Sequence, residues 1–127
     1  MQSHEAIART YLTALGNKEV ETALDFLAPD VQLVDPLYGE VTGKADARIY
    51  CTSFVDRVRT CAYDVHTAAF CEGKGFLEYT CHMVLPDGSH VDLPAAAVFE
   101  FSGDRIQAVR SYHDPAPAAS IWRPQRL

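Results

Sequence analysis

Asp30-Val31-Gln32-Leu33-Val34-Asp35-Pro36 is the stretch on which the fold turns. Val31 and Leu33 flank polar Gln32 with the period of two that marks a strand buried on one face. Asp35 stands next on that inward row, and Pro36, which has no backbone N–H, breaks the strand. A short strand that ends on an inward-facing carboxylate therefore has to be placed among whatever flanks it.

Upstream the period changes to three and four. Ser3 can cap a helix carrying Ile7, Ala8, Tyr11, Leu12 and Leu15 on one face, and Gly16-Asn17 stops it. Asn17 can cap a second helix bearing Val20, Ala23, Leu24 and Leu27, which Pro29 ends. Downstream, a loop through Gly39 and Gly43 leads to a third helix from Lys44 to about Arg59, with Ala47, Tyr50, Cys51, Phe54 and Val58 on one stripe. The rest reads as strands: Tyr63 to Cys71, Phe76 to Leu85, His90 to Phe101 and Arg105 to Asp114. Glu72-Gly73-Lys74-Gly75, Pro86-Asp87-Gly88 and Ser102-Gly103-Asp104 supply the turns. Helices followed by a meander predict an α+β domain with its N-terminal helices on one face of a curved mixed or antiparallel sheet. One domain spans residues 1–127, and the Pro-Ala-rich tail, 115–127, is expected to run extended over the surface.

Composition excludes several classes. With 127 residues, 48% of them apolar and 22% charged, the chain suits one soluble domain. A net charge of −6 with scattered bases gives no footprint for nucleic acid or an anionic membrane. No apolar run approaches the ~20 residues of a membrane span. Met1-Gln2-Ser3-His4-Glu5 lacks the blocks of a signal peptide, so a cytoplasmic address is expected. Cys51, Cys61, Cys71 and Cys81 lie ten apart without a C-x-x-C pair, which reads as small, mostly buried thiols in a reducing compartment. The histidines show no metal-ligand spacing, and glycine-rich phosphate loops and a G-x-S-x-G nucleophile are absent; neither a metal nor a cofactor is expected.

Few residues remain for chemistry. Burial of Asp35 would raise its pKa and suit it to acid–base work, unless it only caps the turn at Pro36. Tyr11, on an apolar helical stripe, is either core or a phenol able to donate to a ligand oxygen. In Ser111-Tyr112-His113-Asp114-Pro115, alternation lets only one of His113 and Asp114 face the concave side, unless a bulge intervenes. His113 otherwise packs or is solvated, and Asp114 otherwise caps a turn. Tyr50, Phe54, Phe99 and Val109 are expected to form an apolar wall around a small hydrophobic ligand. Glu78, Thr80 and His82 share the opposite, polar sheet face, where a homodimer contact is expected.

These segments, in this order, resemble the nuclear transport factor 2-like superfamily, which includes ketosteroid isomerases and SnoaL-like polyketide cyclases. The resemblance rests on the helix pair, on Asp30 to Pro36 entering the Gly43-Lys44 helix, on Val98-Phe99-Glu100-Phe101, and on Asp104-Arg105-Ile106 with Ser111 to Pro115. It implies a cone-shaped α+β barrel with a hydrophobic cavity. In the ketosteroid isomerases Asp35 would match the base and Tyr11 the donor to the dienolate oxygen, with Ala97 where a second acid stands. In the SnoaL-like cyclases Asp114 would match the acid near the end of the last strand. Limonene epoxide hydrolases share Leu93-Pro94 and the terminal Tyr112-x-Asp114, but Tyr79 and Cys81 fall where they need Arg and Asp. The expectation is an isomerase or cyclase acting without a cofactor on a small hydrophobic carbonyl compound, or a non-catalytic binding or dimerisation module of the same fold.

Overall fold

A computed structural model describes residues 2–122. Helix α1, His4–Gly16, starts where the Ser3 hydroxyl accepts from the Ala6 N–H at 3.1 Å, and it buries Ile7, Ala8, Tyr11, Leu12, Ala14 and Leu15. Helix α2, Val20–Leu24, is a single turn with Glu19 at its N-cap. It is shorter than the apolar spacing predicts: Leu27 and Ala28 belong to strand β1, Leu27–Asp35, and Pro29 lies within that strand. Leu27 is fully buried and pairs with Ile106 across the sheet, so tertiary burial overrides the helical spacing. The pairing register slips between Leu27 and Gln32, the kind of irregularity that accommodates Pro29.

Strand β2, Gly39–Thr42, was expected as loop and instead pairs antiparallel with β1, setting Gly39 opposite Asp35. Gly43 follows with φ +89°, a conformation side chains other than glycine's rarely adopt, and donates to the Val31 carbonyl at 2.8 Å. That bend feeds α3, Lys44–Arg57, back over the sheet with Ala47, Cys51 and Val55 buried. Strands β3 (Thr60–Cys71), β4 (Lys74–Val84), β5 (His90–Ser102) and β6 (Arg105–His113) form the meander.

The six strands lie in the order β2-β1-β6-β5-β4-β3, antiparallel except for the parallel pair β1–β6. The sheet is mixed and is not closed into a barrel; with its helices it makes the cone-shaped α+β fold. One face carries Leu77, Tyr79, Cys81 and Met83 of β4 and Leu93, Ala97 and Phe99 of β5 into the core with α1. The last segment corrects an expectation: Pro115–Trp122 is a helix, α4, rather than an extended tail. Asp114 Oδ1 accepts from the Ala116 N–H at 3.0 Å, and both prolines sit in the first turn, where a missing N–H costs no helical bond. Residues 123–127 of that expected tail, with Arg123 and Arg126, lie outside the described residues. Among the described residues no helix is long and apolar enough to cross a membrane.

Candidate active site

Val31, Leu33 and Asp35 alternate inward along β1 as the pattern predicts, and Asp35 is only 9% exposed. Its two oxygens are held differently. Oδ1 accepts from the backbone N–H groups of Leu37 at 2.9 Å and Tyr38 at 3.0 Å, an Asx turn created by Pro36. Oδ2 makes two long hydrogen bonds, one with His113 Nε2 at 3.3 Å and one from the Tyr50 hydroxyl at 3.4 Å. The turn cap and the inward carboxylate are thus the same residue.

His113 faces inward, on the row of Val109 and Ser111, and its side chain is 6% exposed. Its other ring nitrogen, Nδ1, lies 3.2 Å from the Asp114 carbonyl oxygen, which can only accept. Nδ1 therefore carries a proton, and a charged ring donates from both nitrogens. The Asp35 hydrogen bond raises the His113 pKa above the ordinary imidazole value, against a lowering from burial, with the Asp114 carbonyl adding to the rise. For Asp35, burial pushes the pKa up, but the donors together win: His113, then the Tyr38 and Leu37 N–H groups, hold it below the usual carboxylate value. The expected upward shift is thereby reversed, because burial here comes with these three donors. Each shift favours the charged form of its own group, a carboxylate at Asp35 and an imidazolium at His113.

Tyr50 lies on α3, and burial, then the neighbouring Asp35 charge, push its phenol pKa well above normal. Its ring meets that of Tyr38 edge-on at 4.7 Å, so the Asx turn also fixes the aromatic that touches Asp35. Tyr11 is 2% exposed, packs edge-on against Phe99 at 6.3 Å and hydrogen-bonds the Cys51 thiol. Burial, above all, keeps the Tyr11 phenol protonated and pushes the Cys51 thiol up to about 11.

A cavity of about 80 Å³ brings most of these groups together. Asp35, His113, Tyr11, Tyr50, Phe54, Ala97 and Val109 all line it. Phe99 does not; it is wholly buried behind Tyr11 and supports the phenol from the core. Asp114 does not either: its exposed carboxylate caps α4, and only its carbonyl touches the site, through His113. The cyclase-like place for an acid is thus turned away from the cavity. Sequence reading missed Tyr63, Tyr79 and Ser111 on the sheet wall, and Ala118 and Ile121, which α4 contributes. The buried alternation of β4 signalled Tyr79, whereas α4 was unreadable once its prolines had argued for extended chain. Among the described residues, no group of three or more His, Cys, Asp or Glu could hold a metal ion.

A curved mixed sheet with helices over one face, enclosing an apolar cavity, is the architecture of the nuclear transport factor 2-like class. Residues 8–109 match the sequence model of the SnoaL-like domain, and the chain belongs to that family. A protein from Catenulispora acidiphila with a ketosteroid isomerase-like fold, solved in complex with trimethylamine, superposes with a TM-score of 0.83 at 14% identity, over 93% of this chain and 97% of that one. A candidate polyketide cyclase from Xanthomonas campestris gives 0.81 at 21% identity, over 93% and 96%. A candidate SnoaL-like polyketide cyclase from Shewanella putrefaciens gives 0.80 at 15%, over 94% and 84%. At these identities the likeness is one of fold. A search of curated proteins finds no match.

Proposed function

We propose that the protein is an isomerase or cyclase that moves a proton on a small hydrophobic carbonyl compound held in the cavity. The observation that carries this reading is the division of labour in Asp35: Oδ1 is anchored by two short backbone bonds, while Oδ2 faces the cavity with only long contacts. Oδ2 takes the proton alpha to the substrate carbonyl, with His113 and Tyr50 giving way as it does. Tyr11, protonated and buried, donates to the developing enolate oxygen, and His113 then steadies whichever form of Asp35 results. The proton returns from Asp35 to a different carbon. Ala97 supplies no second acid, so Tyr11 acts without that partner.

The test is the conjugated-enone absorbance produced from β,γ-unsaturated ketones, a cyclohexenone and a ketosteroid side by side, with wild type and Asp35→Asn. A general base typically contributes about 10²–10⁴ in rate, so Asp35→Asn should lose at least about a hundredfold. Equal turnover in the two proteins would remove Asp35 as the base.

A binding role is the second reading, supported by the apolar and aromatic side chains, among them Leu12, Leu33, Phe54 and Val109, that make up most of the cavity lining. A pocket that only binds would show no turnover on any ketone and would hold small apolar ligands, or an alkylamine such as trimethylamine, equally in wild type and Tyr11→Phe. A second copy of the chain is proposed to cover the outer sheet face, where Phe76 and Val98 pair across β4 and β5 and Tyr112 is 56% exposed. A monomer by light scattering at micromolar concentration would refute that contact.

A further inference from the structure

Cys61 on β3 and Cys81 on β4 have no part in the proton transfer, yet their sulfurs lie 3.4 Å apart. The register explains why. Cys61 pairs with Met83 and Tyr63 with Cys81, so the two cysteines are diagonal neighbours on the inward face of an antiparallel ladder. Both are buried, and Cys81 lines the cavity beside Tyr63 and Tyr79. For Cys61 and Cys81 a separation of twenty residues in the chain becomes contact across the β3–β4 hairpin.

We propose that Cys61 and Cys81, the latter in the cavity wall and the former directly behind it, are a redox-active dithiol, which a hydroperoxide converts to a β3–β4 disulfide. Cys61 is the attacking sulfur. The Cys81 S–H donates to it, and the Tyr63 hydroxyl and the Lys18 charge add to the stabilisation of its thiolate against the cost of burial. The same bond, together with burial, holds the proton on Cys81. Lys18 is tied in place by its ammonium, which donates to the Val58 carbonyl at 2.6 Å.

The steps balance. The Cys61 thiolate attacks the outer peroxide oxygen and the O–O bond breaks; a sulfenic acid forms, and the remaining oxygen leaves as an alcohol (water, for hydrogen peroxide) with the proton Cys61 gave up. The Cys81 sulfur then attacks the Cys61 sulfur, the S–S bond forms, and the hydroxyl leaves with the Cys81 proton as water. Two thiols are oxidised and one hydroperoxide is reduced. A water molecule occupies roughly 30 Å³, so the cavity has room to deliver a small peroxide to Cys81's side of the pair. Diagonal neighbours have Cα atoms about 7–8 Å apart, beyond the 5.5–6 Å a disulfide favours. Closure therefore draws β3 and β4 together and reshapes the wall that holds Tyr63 and Tyr79, and the bond should be readily reversed by thiols.

The test uses the full chain with Cys71→Ser, since Cys71 is exposed and shares the Thr60–Lys74 tryptic peptide with Cys61. Reduced protein is titrated with hydrogen peroxide, unfolded, alkylated and mapped by mass spectrometry. Two of the three remaining thiols should be lost at one equivalent, with Thr60–Lys74 joined to Gly75–Arg105. Reduced glutathione should restore both, and Cys51 should remain alkylatable throughout. Adding Cys61→Ser should leave Cys81 alkylatable; if that variant misfolds, the parent's linked peptide still decides. Retention of all three thiols, or over-oxidation of Cys61 without a linked peptide, would overturn the proposal.

Discussion

Asp35 at the end of β1 and His113 at the end of β6 meet through Oδ2 and Nε2 at 3.3 Å, joining the termini of the only parallel strand pair among the described residues. Because the imidazole already donates its other N–H to the Asp114 carbonyl, this contact is satisfied only when the ring is charged or the carboxyl protonated. The raised His113 pKa and lowered Asp35 pKa both favour the charged ring. In Asp35→Asn the amide oxygen can keep the Leu37 and Tyr38 bonds, while the amide nitrogen must donate to Nε2. The His113 ring should then titrate at or below the ordinary value of about 6.5, whereas in wild type it titrates above it. An NMR titration of the ring Cε1 proton checks this, and identical curves in the two proteins would show that the pair does not form.

The same pair sets a stability window. His113 has a folded pKa above its unfolded one, so its contribution is complete below about 6.5 and disappears as pH rises through the folded value. Asp35 has a folded pKa below its unfolded one, so its contribution is present above about 3.9 and is lost as pH falls through the folded value. Urea denaturation should give greatest stability between those limits, declining on the alkaline side above pH 6.5. His113→Ala should cost about 2–3 kcal/mol near pH 6, the worth of a charge-assisted hydrogen bond, and should flatten that alkaline decline. An alkaline decline that persists unchanged in the variant would place its origin elsewhere.

Gly75 gives a prediction about packing alone. It pairs with Phe70 across the β3–β4 hairpin, and a Cβ added there would press into the Phe70 ring and lie 2.5 Å from the Ala69 carbonyl oxygen. The ring is itself held by Phe99 at 6.2 Å and Phe101 at 6.3 Å, so it cannot move aside freely. Gly75→Ala should destabilise by about 1–3 kcal/mol, as overpacking does, measured by thermal melting. A change within about 0.5 kcal/mol would mean that the ring swings away from the hairpin.

Asp114 separates a structural acid from a chemical one. Its carboxylate caps α4, and the adjoining carbonyl orients His113. Asn caps as well as Asp, so Asp114→Asn should leave both stability and turnover nearly unchanged. Asp114→Ala should cost about 0.5–2 kcal/mol through the lost cap. A hundredfold loss of turnover in Asp114→Asn would instead assign the proton transfer to Asp114.

What the sequence made legible follows from how local each feature is. The inward row Val31-Leu33-Asp35 and the stripe of α1 are set by neighbours within a few residues, and both formed as read. Strand β2 buries only Val41 of its four residues, too little alternation to detect; it exists because the Asx turn at Asp35 aims the chain back along β1. Alternation alone allows either His113 or Asp114 to face inward, and a strand without a bulge at its end puts His113 there. The sign of the Asp35 shift and the meeting of Cys61 with Cys81 depend on partners 78 and 20 residues away, respectively. Alternation carries no information about either.

Tyr11 tests whether the cavity does chemistry or only binds. Its ring is fixed by Phe99 and its hydroxyl by Cys51, so Tyr11→Phe keeps the packing and removes one oxygen. The Cys51 thiol is a weak hydrogen-bonding group, and losing its partner should cost no more than about 1 kcal/mol of stability. If Tyr11 donates to the enolate oxygen, turnover should fall by about 10²–10³, the usual effect of deleting one oxyanion donor. The loss should appear in kcat and kcat/KM alike, because the bond strengthens as negative charge develops on the oxygen. A rise in KM at constant kcat would show that the hydroxyl holds the ground state only. Steady-state kinetics on the ketone that wild type turns over, with a melting curve alongside to confirm the fold, distinguishes the two.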